Sequence, residues 1–156
     1  MQTSTIKICL CRPIFKTADK EYNLKAIENN INRYSPGFFD LFLFPEISIA
    51  GGFAKNGKEI YKSISEKIPQ GLSIQRVMDL SKKFKTHICT GTIEFSNKNY
   101  YATHFITGPN GFVGKQRKLF PFNPLKKSVL SSGQNINPIR LFSNDIVILP
   151  CSDILL

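Results

Sequence analysis

The sequence lacks any apolar run long enough to cross a bilayer, and it lacks an apolar leader at its N-terminus. The first seven residues are mostly polar, and an alternating segment follows them. A secretory leader carries an apolar core of roughly 7–15 residues, and a membrane-spanning helix needs roughly 18 or more. We therefore expect a cytoplasmic protein without a membrane partner.

Acidic residues are also few: 11 acidic side chains stand against 21 basic ones, so the formal net charge is +10. An excess of positive charge can indicate nucleic acid, an anionic membrane or an acidic substrate as partner. The lysines are scattered along the chain, however, and the only dense group is Lys115, Arg117 and Lys118. We expect no nucleic-acid partner, because composition without a patch does not make a binding surface.

Potential metal ligands are scarce, with four cysteines and two histidines in the chain. In a cytoplasmic protein such cysteines are usually free thiols. Cys9 and Cys11, and likewise His87 and Cys89, are two residues apart on predicted strands and so share a face. These spacings match no common zinc pattern, so we expect buried cysteines and neither a metal nor another cofactor.

What the chain does contain is typical of a folded protein. Its 156 residues are 42% hydrophobic and 21% charged, close to ordinary globular composition. A chain of this length buries enough surface to form a core without disulfide or metal cross-links. We predict one domain over residues 1–156.

Apolar periodicity alternates between strand and helix along the chain. The wholly apolar segment 41–44 is typical of a strand buried on both faces, and a helical segment precedes it. This strand–helix–strand order indicates an α/β fold with a right-handed crossover. We predict strands at 5–11, 41–44, 87–95, 100–107, 112–115 and 145–149, a loop at 45–57, and little regular structure at 116–144.

Two predicted helices, 16–34 and 73–84, carry apolar residues at three- and four-residue steps. Such stripes pack against a neighbouring layer, so we expect both helices on one face of the sheet. The residues that we expect to be buried there are Leu24, Ile27, Ile31, Val77, Leu80 and Phe84.

Three residues suited to chemistry each follow a predicted strand: Glu46, Lys118 and Cys151. Ligands of open α/β sheets bind where strands end, and a cysteine thiolate is favoured by a helix N-terminus and a nearby cation. Singly, each residue has an ordinary interpretation: the start of a loop, a solvated charge and an inert buried thiol. Their order and strand context are what suggest a shared site.

The segments around these residues resemble the nitrilase superfamily of carbon–nitrogen hydrolases. Leu41–Glu46 is similar to its apolar strand ending in Pro-Glu, Gly111–Lys118 to its segment ending in Arg-Lys, and Ile146–Asp153 to its strand ending in Cys-x-Asp. The resemblance runs from the first strand to Cys151. It implies an α/β fold that forms the N-terminal half of a four-layer α-β-β-α sandwich.

The resemblance also implies a mechanism, in which Cys151 is the nucleophile, Glu46 the general base and Lys118 the stabilising charge. The substrate would be a small amide, nitrile or carbamoyl compound, and a thioester acyl-enzyme would form. We expect the ends of the three side chains to converge within one hydrogen bond or one bridging water of each other. The complete protein would be a homo-oligomer.

The sequence departs from the family pattern at two positions beside the lysine and in the segment between the lysine and the cysteine. Phe120 stands where a histidine is usual, and Gln116 where an aromatic residue is common. Asp145 is the only acid between Lys118 and Cys151, where many members carry a second glutamate.

The chain ends five residues after Cys151, whereas the family's cysteine lies near the middle of its domain. We therefore interpret the domain as truncated at its C-terminus. Two other interpretations stay open at this point: an inactive remnant of the family, and a basic binding module with a chance motif match.

Overall fold

The computed structural model describes residues 5–52, 57–121 and 129–155. The elements alternate between strand and helix in the first half and are mainly strands in the second. They are β1 (Ile8–Leu10), α1 (Lys20–Ile31), β2 (Leu41–Leu43), α2 (Gly57–Ile64), α3 (Leu72–Phe84), β3 (His87–Ser96), β4 (Asn99–Gly108), β5 (Gly111–Arg117), β6 (Ile139–Leu141), β7 (Asn144–Ile146) and a 3₁₀ helix (Cys151–Leu155).

The central feature is a five-stranded sheet with the strand order β1-β2-β3-β4-β5. The first three strands run parallel and the last two pairings are antiparallel. This mixed α/β fold confirms the predicted fold class. The β3–β4 hairpin forms as predicted, and Asn97 and Lys98 at its turn adopt positive φ angles of 49° and 65°, which suit the twist of a tight hairpin.

The two long helices pack on one face of this sheet, as predicted. α1 begins after Asp19, whose side chain accepts a hydrogen bond from the Tyr22 backbone N–H, a typical N-cap arrangement. The apolar stripes of α1 and α3 join Phe42, Phe44 and Phe105 of the sheet in one core cluster. All six helix residues that were expected to be buried are buried.

The opposite face of the sheet is only partly covered. Leu41 and Cys89 pack there against Ile139 of β6, but Leu43 keeps 36% of its surface exposed. The prediction that 41–44 is buried on both faces was therefore wrong at Leu43. The β6–β7 hairpin covers one end of this face and does not reach the other.

The remaining differences lie where local periodicity is weak. α2 and β6 were not predicted, and β1 and α1 are shorter at both ends than predicted. The last strand was predicted to extend to 149, whereas β7 ends at Ile146 and pairs with β6 outside the main sheet. This two-residue hairpin turns at Phe142 and Ser143, whose φ angles are 51° and 64°. Neither is the glycine, asparagine or aspartate that usually signals such a turn, so the sequence did not predict it.

None of the helices in the described ranges is long and apolar enough to span a membrane.

Candidate active site

Glu46 lies at the end of β2, where the chain turns across the neighbouring strand. The Ile49 backbone N–H donates to the Gly91 carbonyl of β3 at 3.0 Å. A Cβ atom at Gly91 would lie 2.8 Å from the Ile47 nitrogen, so this close approach needs glycine in β3. The turn after Glu46 is therefore held against the sheet, with 17% of the Glu46 side chain exposed.

Lys118 directly follows β5 and extends its strand pairing by one residue. Its backbone N–H donates to the Ala102 carbonyl at 2.8 Å, and its carbonyl accepts from the Gly133 N–H at 2.8 Å. The side chain is 3% exposed. A lysine buried to this degree needs a charged or strongly polar partner.

Glu46 is that partner, although 72 residues separate the two in sequence. Lys118 Nζ lies 2.8 Å from Glu46 Oε1 and donates a hydrogen bond to Oε2 at 3.1 Å. Nζ also donates to the Pro150 carbonyl at 3.0 Å. The ammonium group thus connects the end of β2 with the residue that precedes Cys151.

Cys151 begins the 3₁₀ helix in a left-handed backbone conformation, with φ of 48°. It is the exposed one among the four cysteines, whereas Cys11 and Cys89 are buried. Burial is the main cause that raises the pKa of both buried thiols to about 12. Cys151 is therefore the thiol that a solvent-borne reagent reaches most readily.

Asp153 joins the 3₁₀ helix by hydrogen bonds to the residues that follow Lys118. Its buried carboxylate accepts from the backbone N–H groups of Leu119 and Phe120, both at 2.8 Å. Ser152 Oγ donates to the Phe120 carbonyl at 2.8 Å. These three bonds fix the segment that carries Cys151 relative to the segment that carries Lys118.

His104 of β4 lies buried near the same site. Burial lowers its pKa to about 4, and the charge of Lys118 adds to this effect while Asp153 opposes it. Its Nδ1 atom has no hydrogen-bond partner within the described part of the chain. The imidazole is therefore neutral around pH 7.

Among the predicted site residues, the structure brings Glu46 and Lys118 into direct contact and places Cys151 one residue beyond a second Lys118 contact. Gln116, one of the departures from the family pattern, is fully buried and accepts from the Asn137 N–H at 2.8 Å. Asp145 is exposed and pairs with Arg140 at 3.2 Å. The basic group at 115–118 is not a surface patch, because Lys118 is buried and the other two cations pair with Glu94.

His104 was not predicted as a site residue, and Asp153 was named as part of a sequence motif without a role. The sequence carried no local signal for the role of Asp153, because the two N–H groups that it accepts from lie 34 and 33 residues before it. For His104 the sequence carries no signal beyond its position in a strand. In the described residues no group of three or more histidine, cysteine or acidic side chains is arranged to hold a metal ion.

The sequence of this chain is similar to those of known proteins. Residues 5–153 match the carbon–nitrogen hydrolase family. A nitrilase from Pyrococcus abyssi is 33% identical over 104 residues, which is 67% of this chain and 38% of that protein.

Two solved structures share the fold. One is XC1258 from Xanthomonas campestris, a CN-hydrolase superfamily protein with an arsenic adduct in its active site (TM-score 0.81, 17% identity, 96% of this chain and 54% of that one). The other is a mutant of the amidase from Nesterenkonia sp. AN1, in which acrylamide has undergone Michael addition at the active-site cysteine (TM-score 0.80, 16% identity, 96% and 59%). The chain thus spans between about two-fifths and three-fifths of the length of these relatives.

Proposed function

Because this chain belongs to the carbon–nitrogen hydrolase family, we propose that it carries the Glu46, Lys118 and Cys151 triad of a hydrolase acting on a non-peptide carbon–nitrogen bond. The substrate class is a small amide, nitrile or carbamoyl compound. The observation that carries the proposal is the Lys118 ammonium, which contacts both Glu46 and the carbonyl next to the exposed Cys151. A family match over residues 5–153 also removes the chance-match interpretation.

In the proposed reaction, Cys151 Sγ attacks the carbonyl carbon of an amide while Glu46 accepts the thiol proton. Lys118 remains protonated, and its charge stabilises the oxyanion of the tetrahedral intermediate together with backbone N–H groups after Cys151. Collapse of the intermediate breaks the carbon–nitrogen bond. The amine leaves with the proton held by Glu46, and a thioester to Cys151 remains.

Glu46 then takes a proton from water, and the resulting hydroxide attacks the thioester carbon. The carbon–sulfur bond breaks, the carboxylic acid leaves, and the proton returns to the thiolate. The Lys118 ammonium lies 2.8 Å from Glu46 Oε1 and orients the carboxylate that accepts a proton in both steps. A nitrile would consume one further water before ammonia is released.

Alkylation by acrylamide, followed by peptide mass spectrometry, tests the nucleophile and the base. We expect Cys151 to react far faster than Cys11 and Cys89, because the buried thiols are protonated and shielded. Glu46→Gln should slow the labelling of Cys151 about a hundredfold, whereas Glu59→Gln, an exposed glutamate on α2, should not change it.

Ammonia release from a panel of small amides, nitriles and carbamoyl compounds tests the reaction itself. Cys151→Ala should abolish any turnover. Equal labelling of Cys151 in the Glu46→Gln and Glu59→Gln variants would exclude Glu46 as the base. Fast Glu46-dependent labelling without turnover on any compound would identify the chain as an inactive member of the family.

A further inference from the structure

A polar cavity of about 330 Å³ lies apart from the candidate active site, between the ends of β4 and β5 and the segment 132–137. Arg117 lines it, and the next residue, Lys118, contacts Glu46 instead. Arg117 therefore lies at this cavity, whereas Lys118 lies at the candidate active site. The lining residues are Asn97, Tyr101, Lys115, Arg117, Ser132, Gly133, Gln134, Asn135 and Asn137.

The side chains that line this cavity carry a net positive charge. Within the described residues its lining contains two cations, Lys115 and Arg117, and no acid. Their counterion, Glu94, is 2% exposed, whereas the two cations are 30% and 28% exposed. Glu94 therefore lies behind the cations, and one positive charge of the three groups remains uncompensated.

Lys115 and Arg117 each have more N–H donors than their bonds within the described residues use. A guanidinium has five N–H donors and an ammonium has three. Arg117 donates to Glu94 through Nε at 2.9 Å and Nη2 at 2.8 Å, and Lys115 Nζ contacts Glu94 Oε1 at 2.5 Å and the Ile68 carbonyl at 3.4 Å. Within the described residues, donors therefore remain on both groups after these bonds are made.

The surrounding residues hold these donors in place. The Arg117 guanidinium carbon lies 4.0 Å from the centre of the Tyr101 ring, which restricts the plane of the guanidinium. A Cβ atom at Gly133 would lie 2.7 Å from the Arg117 carbonyl oxygen. Glycine thus lets the 132–137 segment lie close against β5, where Gln134, Asn135 and Asn137 line the cavity together with Asn97 of the β3–β4 turn.

We propose that this cavity binds a small oxyanion, a carboxylate or a phosphate carried by a polar molecule. Fixed cations with spare N–H donors bind oxyanions through charge-assisted hydrogen bonds. The amide groups of Asn97, Gln134, Asn135 and Asn137 suit further polar groups of such a ligand. The site does not depend on the proposed reaction, because none of the three triad residues lines it.

Equilibrium dialysis with radiolabelled inorganic phosphate, and separately with radiolabelled acetate, tests the proposal at ionic strength held constant with chloride. We expect saturable binding of about one anion per chain in at least one arm, and the tighter arm identifies the chemistry of the ligand. Lys115→Gln should weaken binding on the order of tenfold. Lys62→Gln removes the same charge from an exposed position on α2 and should leave binding unchanged.

Glu94→Gln tests the proposal through a gain in affinity, which a variant that fails to fold would not show. Removal of the counterion leaves two uncompensated charges at the cavity, so this variant should bind the anion more tightly than the parent chain. Binding that does not saturate in either arm would overturn the proposal. Equal weakening by Lys115→Gln and Lys62→Gln would overturn it as well, since it would show that only the net charge attracts the anion.

Discussion

At the scale of single residues, His104 is the least expected feature of the site. Its ring is 5% exposed, and its neighbours include a buried cation. Both burial and the charge of Lys118 disfavour protonation, and the smaller opposing effect of Asp153 does not offset them. Burial of His104 in the folded chain therefore requires a neutral imidazole around pH 7.

This requirement predicts a pH-dependent stability. As the pH falls, the histidine of the unfolded chain takes up a proton near its ordinary value of 6.5, whereas the folded chain resists until about 4. The unfolded state then binds more protons, so stability is complete above 6.5 and decreases below it. Between pH 7 and 5 we expect a loss of about 2 kcal/mol from this residue.

Urea denaturation at pH 7 and at pH 5 measures this loss. His104→Gln should remove the corresponding part of the pH dependence. His87→Gln is the matched control, because it makes the same chemical change at a histidine that is only half-buried. If the His104 variant keeps the same pH dependence as the parent chain, the neutral-histidine interpretation is wrong.

At the scale of elements, the Asp153 carboxylate is the main link between the 3₁₀ helix and the segment after β5. It is fully buried and accepts two backbone hydrogen bonds. Its loss would leave N–H donors without a partner and would free the segment that carries Cys151. We infer that Asp153 is a positioning residue for Cys151 in the proposed reaction.

We predict that Asp153→Asn lowers the free energy of unfolding by about 2 kcal/mol, because a charged acceptor of two buried bonds is lost. Asp145→Asn is the control. It makes the same chemical change in an exposed ion pair with Arg140, whose contribution is below about 1 kcal/mol.

The same two variants separate positioning from stability alone. Under conditions in which both remain folded, only Asp153→Asn should slow acrylamide labelling of Cys151. Equal labelling rates in both variants would assign Asp153 a structural role only.

At the scale of the whole molecule, the partly covered face of the sheet exposes several apolar side chains within the described residues. Leu10, Ile8 and Leu43 are 77%, 50% and 36% exposed, and Val147 and Leu149 border them at 48% and 38%. A groove of about 460 Å³ is lined by Leu10, Leu43, Val147 and Leu149 among others. Contiguous apolar surface of this kind favours association.

We predict that the 156-residue chain self-associates through this face and that Leu10→Lys shifts it toward the monomer. Leu72→Lys is the matched control, because Leu72 is 85% exposed at the start of α3 and polar residues surround it. Size-exclusion chromatography with light scattering measures the change. Equal shifts in both variants would show that added charge, and not this face, controls association.

The sequence by itself determined those features that follow from local patterns. The stripes of α1 and α3 located six buried residues, and the turn residues 96–99 located the β3–β4 hairpin. The strand ends before Glu46 and Lys118 were also recognisable from the sequence, whereas β7 ends at Ile146, so the predicted strand end at Cys151 was wrong. Periodicity and turn chemistry act over a few residues, so a linear sequence displays them directly.

Only the tertiary structure decided which of these residues meet. Contact between Glu46 and Lys118 spans 72 residues and depends on strand order, on the close approach at Gly91 and on the bend that brings Pro150 to the ammonium. The burial of His104 and the pairing of Glu94 with two cations likewise arise from side chains on different strands. Their electrostatic energies depend on distance and burial in three dimensions, and neither quantity is a property of residue order.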